Sequence, residues 1–306
     1  MATYVVRRLL QMIPVIIGAT FLIFVMVFGI GDPAAGRCGD RPCPEAFLVQ
    51  FRQEYNLDEP LLVQYALYMG KLLTGDFGTS FSGLSVSEEL LLRWPTTIKL
   101  AVIALVFESI IGVAAGILAA LRKGRFLDYL VTLSSLVVIS VPVFVIGSLA
   151  QLVLGIRLAI FPVTSTGGTW GELLLPGLVL GSFSLAYIAR LMRGTMIENL
   201  RADYVRTAKA KGLGPGRAVG IHTLRNSMIP AITFIGYDVG ALMGGAVVTE
   251  RIFNINGVGG FLFYGINTKD GSIVVGTVVC LVLIYLLVNL LVDVLYGVLD
   301  PRISND

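Results

Sequence analysis

Four ionisable side chains stand inside long apolar runs: Lys99, Glu108, Asp238 and Asp293. A charge in lipid is costly, so such residues face a bundle interior, a partner or a water-filled path. Asp238, beside Tyr237 and close to Gly236 and Gly240, is read with Tyr237 as lining a translocation path. A carboxylate there suits a solute with a free amino group. Glu108 lies deep in an earlier run. Pairing with a neighbouring helix and lining the path are equally open for it. Lys99 can snorkel to the nearer surface, and Asp293, near the end of the last run, reads as an anchor. Asp238 and Asp293 also imitate the two acids of an intramembrane aspartyl protease, which would share a proton. That is the remote alternative, because Asp293 lacks a Gly-x-Gly-Asp setting and the two acids fall at different depths.

The other constellation is electrostatic. Residues 190–230 form a long polar stretch between two long apolar runs. They carry Arg190, Arg193, Arg201, Arg206, Lys209, Lys211, Arg217 and Arg225 against Glu198 and Asp203. Short cationic loops stay cytoplasmic. Within the loop, Asp203 is a good N-cap and Tyr204 to Lys211 contains no breaker. Gly212 ends this helix, and Pro215 can open the next. Ala208 and Gly212, four apart, share a face small enough for another protein to approach closely. A helix this short is marginal alone and needs a partner or the bundle.

Catalytic chemistry is missing from the sequence. Gly212-Leu213-Gly214-Pro215-Gly216-Arg217 is glycine-rich but lacks the Lys-Ser/Thr ending of a phosphate-cradling loop. No Gly-x-Ser-x-Gly elbow occurs, and the single histidine, His222, falls in the basic loop. The chain is expected to be no enzyme and to hold no cofactor or metal. Its cations flank apolar runs rather than stripe a soluble face, which argues against a nucleic-acid partner.

These residues must be positioned by membrane helices. The 306 residues are 56% hydrophobic and 14% charged, with mean hydropathy +0.84, too apolar for an average soluble domain. Runs at 9–30, 100–121, 128–154, 173–191, 228–248 and 273–296 read as six spans, the third kinked at Pro142. Arg7 and Arg8 before the first, Arg122, Lys123 and Arg125 after the second, and the basic loop all fall on one side. Both termini are therefore expected to be cytoplasmic. Gly112, Gly116, Gly240, Gly244 and Gly245 read as close helix packing. Cys38 and Cys43 fall in the first extracytoplasmic loop with no further ligand nearby, so a disulfide between them is expected.

Several strings carry a family resemblance. Arg206-Thr207-Ala208-Lys209-Ala210-Lys211-Gly212, followed by Ile221-His222-Thr223-Leu224 and Pro230, resembles the Glu-Ala-Ala loop of binding-protein-dependent ABC importer permeases. Arg206-Thr207 in place of Glu-Ala resembles the oligopeptide/dipeptide branch. Tyr55-Asn56-Leu57-Asp58-Glu59-Pro60, Gly75-Asp76-Phe77-Gly78-Thr79-Ser80, Val248-Thr249-Glu250-Arg251-Ile252-Phe253 and Leu299-Asp300-Pro301-Arg302 look like the same branch. The likeness runs from Arg7-Arg8 to the C-terminus. Residues 37–43 have no place in it, and Asp238 stands where a neutral residue is expected.

The resemblance implies an all-α type I ABC importer permease with six transmembrane helices. Residues 1–30 would be the N-terminus and first span, 31–95 an extracytoplasmic segment, and 96–306 a five-helix core with its cytoplasmic coupling loop at 194–227. It implies half of a translocation path for short peptides. Arg206, Thr207, Ala208, Ala210, Lys211, Gly212 and Leu213 would seat the loop on an ATPase. The implied partners are a second related permease, two ATPase subunits (or one fused ATPase) that bind the ATP, an extracytoplasmic substrate-binding protein and membrane lipid. The implied location is the bacterial inner membrane. Nickel or another small solute is the alternative cargo within the branch.

Overall fold

Lipid offers the backbone no hydrogen-bond partner, so an apolar run must satisfy its own amides, and the helix does so within one segment. The computed structural model describes residues 2–29, 44, 45, 48, 49, 52, 58–80 and 82–299. Among these the secondary structure is helical apart from one isolated bridge between Thr79 and Ser85. Five helices are long and apolar enough to cross a membrane, and a bent pair makes a sixth if it is one span. Cys38 and Cys43 lie outside the described residues, as does most of the expected extracytoplasmic segment before Asp58. Contacts divide the chain into two compact units, residues 1–97 with 256–306 and residues 98–255.

In the first unit, helix α1 (Ala2–Phe24) continues as wider π turns through Val25–Gly29. The other members are α2 (Leu61–Leu73), the opening turns of α3 (Val86–Leu121), α9 (Val258–Asn267) and α10 (Gly271–Leu299). Phe24 of α1 packs on Val275 and Val279 of α10, with Tyr65 and Tyr68 of α2 alongside. The Thr20 and Tyr65 hydroxyls share a 2.7 Å hydrogen bond. Val258 opens α9 by donating its N–H to Thr97 Oγ1 at 2.9 Å. Arg8 Nε lies 3.3 Å from Asp293 Oδ2, so Asp293 is an anchor to the start of the first span, as its position suggested.

Helix α3 is 36 residues long, starting well before the apolar run that marked the second span. Ser85 Oγ accepts from the Glu88 N–H at 3.4 Å, and Glu88 and Glu89 occupy the first turn. Both features favour a helix start there.

The second unit holds the rest of α3, then α4 (Phe126–Ser140), α5 (Val143–Ala150, continued as π turns through Gln151–Arg157), α6 (Leu174–Leu200), α7 (Asp203–Ala210) and α8 (Leu224–Ile252). The expected kink at Pro142 is a full break, with α4 and α5 meeting at 105°. Val141 before the proline is extended, at φ −104° and ψ 128°, because the proline ring excludes the helical region from its predecessor. The 15 residues of α4 rise about 22 Å, short of a ~30 Å hydrocarbon core.

Helices α3 and α6 meet along a seam of small residues. A methyl at Gly116 would come within 2.6 Å of the Ala189 carbonyl oxygen, and one at Gly181 within 2.8 Å of that of Ala104. One at Gly177 would reach 2.4 Å from Ile103 Cγ2, and one at Gly112 3.1 Å from Ile188. Gly112 and Gly116 thus pack as expected. Gly244 does not, since a methyl there meets nothing within 4 Å. Gly116→Ala should therefore cost about 1–3 kcal/mol by overpacking, visible as a lower unfolding midpoint of the purified protein. Gly244→Ala should leave that midpoint unchanged or raised.

Candidate coupling loop and buried carboxyl pair

The basic loop is a short helix slung between two long ones. Only Arg201 and Ala202 separate α6 from α7. Asp203 is the first helical residue rather than the cap. Ala202 holds the cap position at φ −65° and ψ 148°, with no side-chain cap bond. An acid in the first turn still favours the helix through its dipole.

The helix ends as the sequence suggested. Gly212 has φ +85°, a left-handed geometry that L side chains resist. Its N–H donates to Lys209 O at 3.0 Å, and that of Leu213 to Ala208 O at 3.1 Å. This pair of bonds is a Schellman cap.

The faces of α7 sort differently from expectation. Val205 and Ala208 are buried, Ala208 at 8% exposure, and α7 packs on the turns at Ala218–Thr223. Ala208 therefore forms no outward surface with Gly212: its small side chain lets α7 lie close on its own subunit. The outward residues are Tyr204, Arg206, Thr207, Lys209, Ala210, Lys211 and Gly212, with Leu213 half-buried. The missed signal was the polarity of the positions between Val205 and Ala208, which leaves these two as the only inward stripe at helical spacing.

The loop is clamped at its roots. Thr195 Oγ1 donates to Ser227 O at 3.2 Å, and Ser227 Oγ donates back to Thr195 O at 3.3 Å. Around this clasp, Met192 and Met196 of α6 and Ala231 of α8 are fully buried and Ala120 of α3 nearly so. Beside it, Arg193 of α6 grips Asp128 of α4 in a bidentate ion pair. Its Nη2–Oδ2 contact is 2.9 Å and its Nε faces Oδ1. The Gly124 N–H donates to Oδ2 at 2.8 Å.

Deeper in this unit lie the two candidate path acids. Glu108 on α3 is 0% exposed and Asp238 on α8 is 9% exposed. The Glu108 carboxyl approaches that of Asp238. No protein donor reaches either Glu108 oxygen or Asp238 Oδ2. A hydrogen bond between the two groups therefore requires a proton on one of them. Tyr237, read as their companion, instead lies half exposed. Lys99 donates to Gly168 O at 3.3 Å with Trp170 at 6.0 Å, which fits its snorkelling role. Asp293 is bound to Arg8 and Asp238 faces Glu108, so the protease reading loses its pair of acids.

Five long apolar helices, a bent sixth and a capped cationic helix between two of them define a multi-pass membrane permease. The chain belongs to the family described as binding-protein-dependent transport system inner membrane component. That family matches residues 112–305, and its N-terminal counterpart matches residues 1–101. The chain is 38% identical to a dipeptide transport system permease protein of Alkalihalophilus pseudofirmus, covering 99% of this chain and all of the relative. It is 36% identical to a di/tripeptide transport system permease protein of Pseudomonas aeruginosa, covering all of this chain and 99% of the relative. It is 37% identical to a glutathione transport system permease protein of Salmonella paratyphi A, covering 99% of each. The chain is an ABC importer permease subunit, and the residues from 112 onward that the sequence likened to this family fall within the matched core.

The Asp128–Arg193 pair gives an asymmetric prediction. Arg193→Gln leaves Asp128, whose side chain is 5% exposed, without its cation, whereas Asp128→Asn leaves Arg193 at 28% exposure. Removing one member of a buried pair costs ~3–5 kcal/mol. Arg193→Gln should approach that cost, and Asp128→Asn should fall below it because the guanidinium still reaches water. Unfolding midpoints of the two variants, compared with the double variant, check the order.

Proposed function

We propose that this chain forms half of the path of an importer for short peptides. The observation that carries the reading is the full-length similarity to permeases named for dipeptides, di/tripeptides and glutathione. A second related permease would complete the path. Two ATPase subunits, or one fused ATPase, would bind the ATP, and an extracytoplasmic binding protein would deliver the peptide. The chain itself then holds no cofactor and performs no hydrolysis. Both termini lie in the cytoplasm in this reading, on the side of the basic loop.

Helix α7 is the surface that meets the ATPase. Its support is the outward display of Arg206, Thr207, Ala210, Lys211 and Gly212 on a helix closed by the Gly212 cap and seated on its own bundle through Val205 and Ala208. Gly212 is a poor site for a blocking substitution, because its positive φ makes any side chain disrupt the cap. Ala210→Trp keeps the backbone and adds bulk to the contact face. It should lower peptide uptake and peptide-stimulated ATP hydrolysis at least tenfold while membrane insertion stays normal. Uptake at the wild-type rate in an assembled complex would remove α7 from the interface.

The buried carboxyl pair serves the cargo. Its support is a carboxyl of α8 at 9% exposure whose Oδ2 has no protein donor, beside a second acid with neither oxygen donated to, a site an incoming ammonium group could satisfy. Such a group is tolerable only where water or cargo reaches it, since a central Asp in lipid costs about +2.5 to +3.5 kcal/mol. Asp238→Cys, with Cys38, Cys43 and Cys280 replaced, should react with a water-soluble thiol reagent in at least one state of the ATP cycle. A thiol that stays unlabelled with and without turnover assigns Asp238 to packing instead.

A further inference from the structure

The second unit contains a cavity of about 410 Å³ between α4 and α6, lined by Thr132, Tyr187, Arg190, Leu191 and Arg193. This lies in the roughly 300–1,000 Å³ range of small-ligand sites. Its two cations differ. Arg193 is committed to Asp128. Arg190 is exposed and has no acidic or hydrogen-bonding partner among the described residues. A cation on a membrane span without a counter-charge is an uncompensated cost.

Position identifies what could supply the counter-charge. Arg190 lies about 24 Å along α6 from its start at Leu174, near the far boundary of a ~30 Å hydrocarbon core. The basic loop emerges at that same end. The Gly124–Asp128 hydrogen bond brings the α3–α4 turn to the Arg193 ion pair, and this turn carries Arg122, Lys123 and Arg125, all exposed. The mouth of the cavity is therefore cationic. On α4, Phe126, Tyr129, Leu130, Leu133 and Val137 are all exposed, an apolar stripe at helical spacing that suits acyl chains. Aromatic Phe126 and Tyr129 at its end fit the headgroup level.

The cavity also has hydroxyls. Tyr187 is held with its ring stacked on Phe234, centroids 4.6 Å apart. Thr132 Oγ1 has no hydrogen-bond partner. A guanidinium presents a fork of donors matched to a phosphate, and basic pockets between spans bind anionic lipid headgroups.

We propose that this cavity is a specific site for an anionic phospholipid, its phosphate on Arg190 and its polar headgroup against Tyr187 and Thr132. The lipid neutralises the one guanidinium that the fold leaves uncompensated there and fills the gap between α4 and α6.

Native mass spectrometry of the full chain in detergent, titrated with phosphatidylglycerol against phosphatidylcholine, tests the proposal. The wild type should carry at least fivefold more phosphatidylglycerol. Arg190→Gln should lose most of that preference, whereas Arg217→Gln, which removes an exposed loop cation, should keep it. Arg190→Lys should retain part of it. The double variant Thr132→Val with Tyr187→Phe keeps every charge and should lower the preference at least twofold, which decides the matter if Arg190→Gln does not fold. Equal binding of the two lipids by the wild type would overturn the proposal, as would an unchanged preference in Arg190→Gln. Displacement of bound phosphatidylglycerol by equimolar inorganic phosphate or by a dipeptide would also overturn it, assigning the cavity to a free anion or to cargo.

Discussion

The second unit depends on how closely α3 and α6 approach. Lipid supplies no hydrophobic force between apolar helices, so association rests on packing, and packing improves as the backbones come together. Gly112 and Gly116 on α3 and Gly177 and Gly181 on α6 remove the side chains that would keep the helices apart. Ala104, Glu108, Gly112 and Gly116 follow one another at four-residue spacing, so they share one stripe of α3. Glu108 is thus an acid set in the tightest seam of the unit. That explains its complete burial, and it leaves Asp238 of α8 as the group its carboxyl meets.

The same seam steadies the loop. Met192, which meets Gly116 together with Ala189, lies within one turn of both Arg193 and Thr195. These tie α6 to α4 through Asp128 and to α8 through Ser227. The small-residue contact, the ion pair and the hydroxyl clasp crowd into residues 189–195 of α6, less than two turns and just before it gives way to α7. The cationic helix is therefore presented by a braced stem.

Much of this was legible in the sequence, and the reasons are specific. Apolar length gave the spans, because the bilayer sets a minimum that few soluble segments meet. Gly212 gave the end of α7, because only glycine adopts φ +85° without strain. Gly112 and Gly116 gave a packing face. Other features depended on neighbours that no local string names. The inward turn of Ala208 follows from α7 lying against the turns at Ala218–Thr223. Gly244 has the spacing of a packing glycine, but a methyl there would meet nothing within 4 Å among the described residues. The start of α3 at Val86 was hidden because a helix can begin in polar sequence well before its apolar run, and hydropathy marks only the run. Pro142 signalled a bend, but the 105° turn required Val141 to leave the helix altogether. The meeting of Glu108 and Asp238 joins residues far apart in the chain, which spacing alone does not connect.

The joint between α6 and α7 has a mechanical consequence. Arg201 and Ala202 form the whole connection, so Leu200 and Asp203 could stand only about 10 Å apart even if it were drawn straight. The Arg201 N–H is bonded back to Glu198 O at 3.1 Å and that of Ala202 to Asn199 O at 3.2 Å, so the joint has almost no slack. At its other end α7 is closed by the Gly212 cap and bears on the stretch that becomes α8. A load applied to α7 would therefore pass to α6 through a joint without free length, whereas residues 211–223 separate α7 from α8, so this short helix is hinged tightly on one arm and loosely on the other.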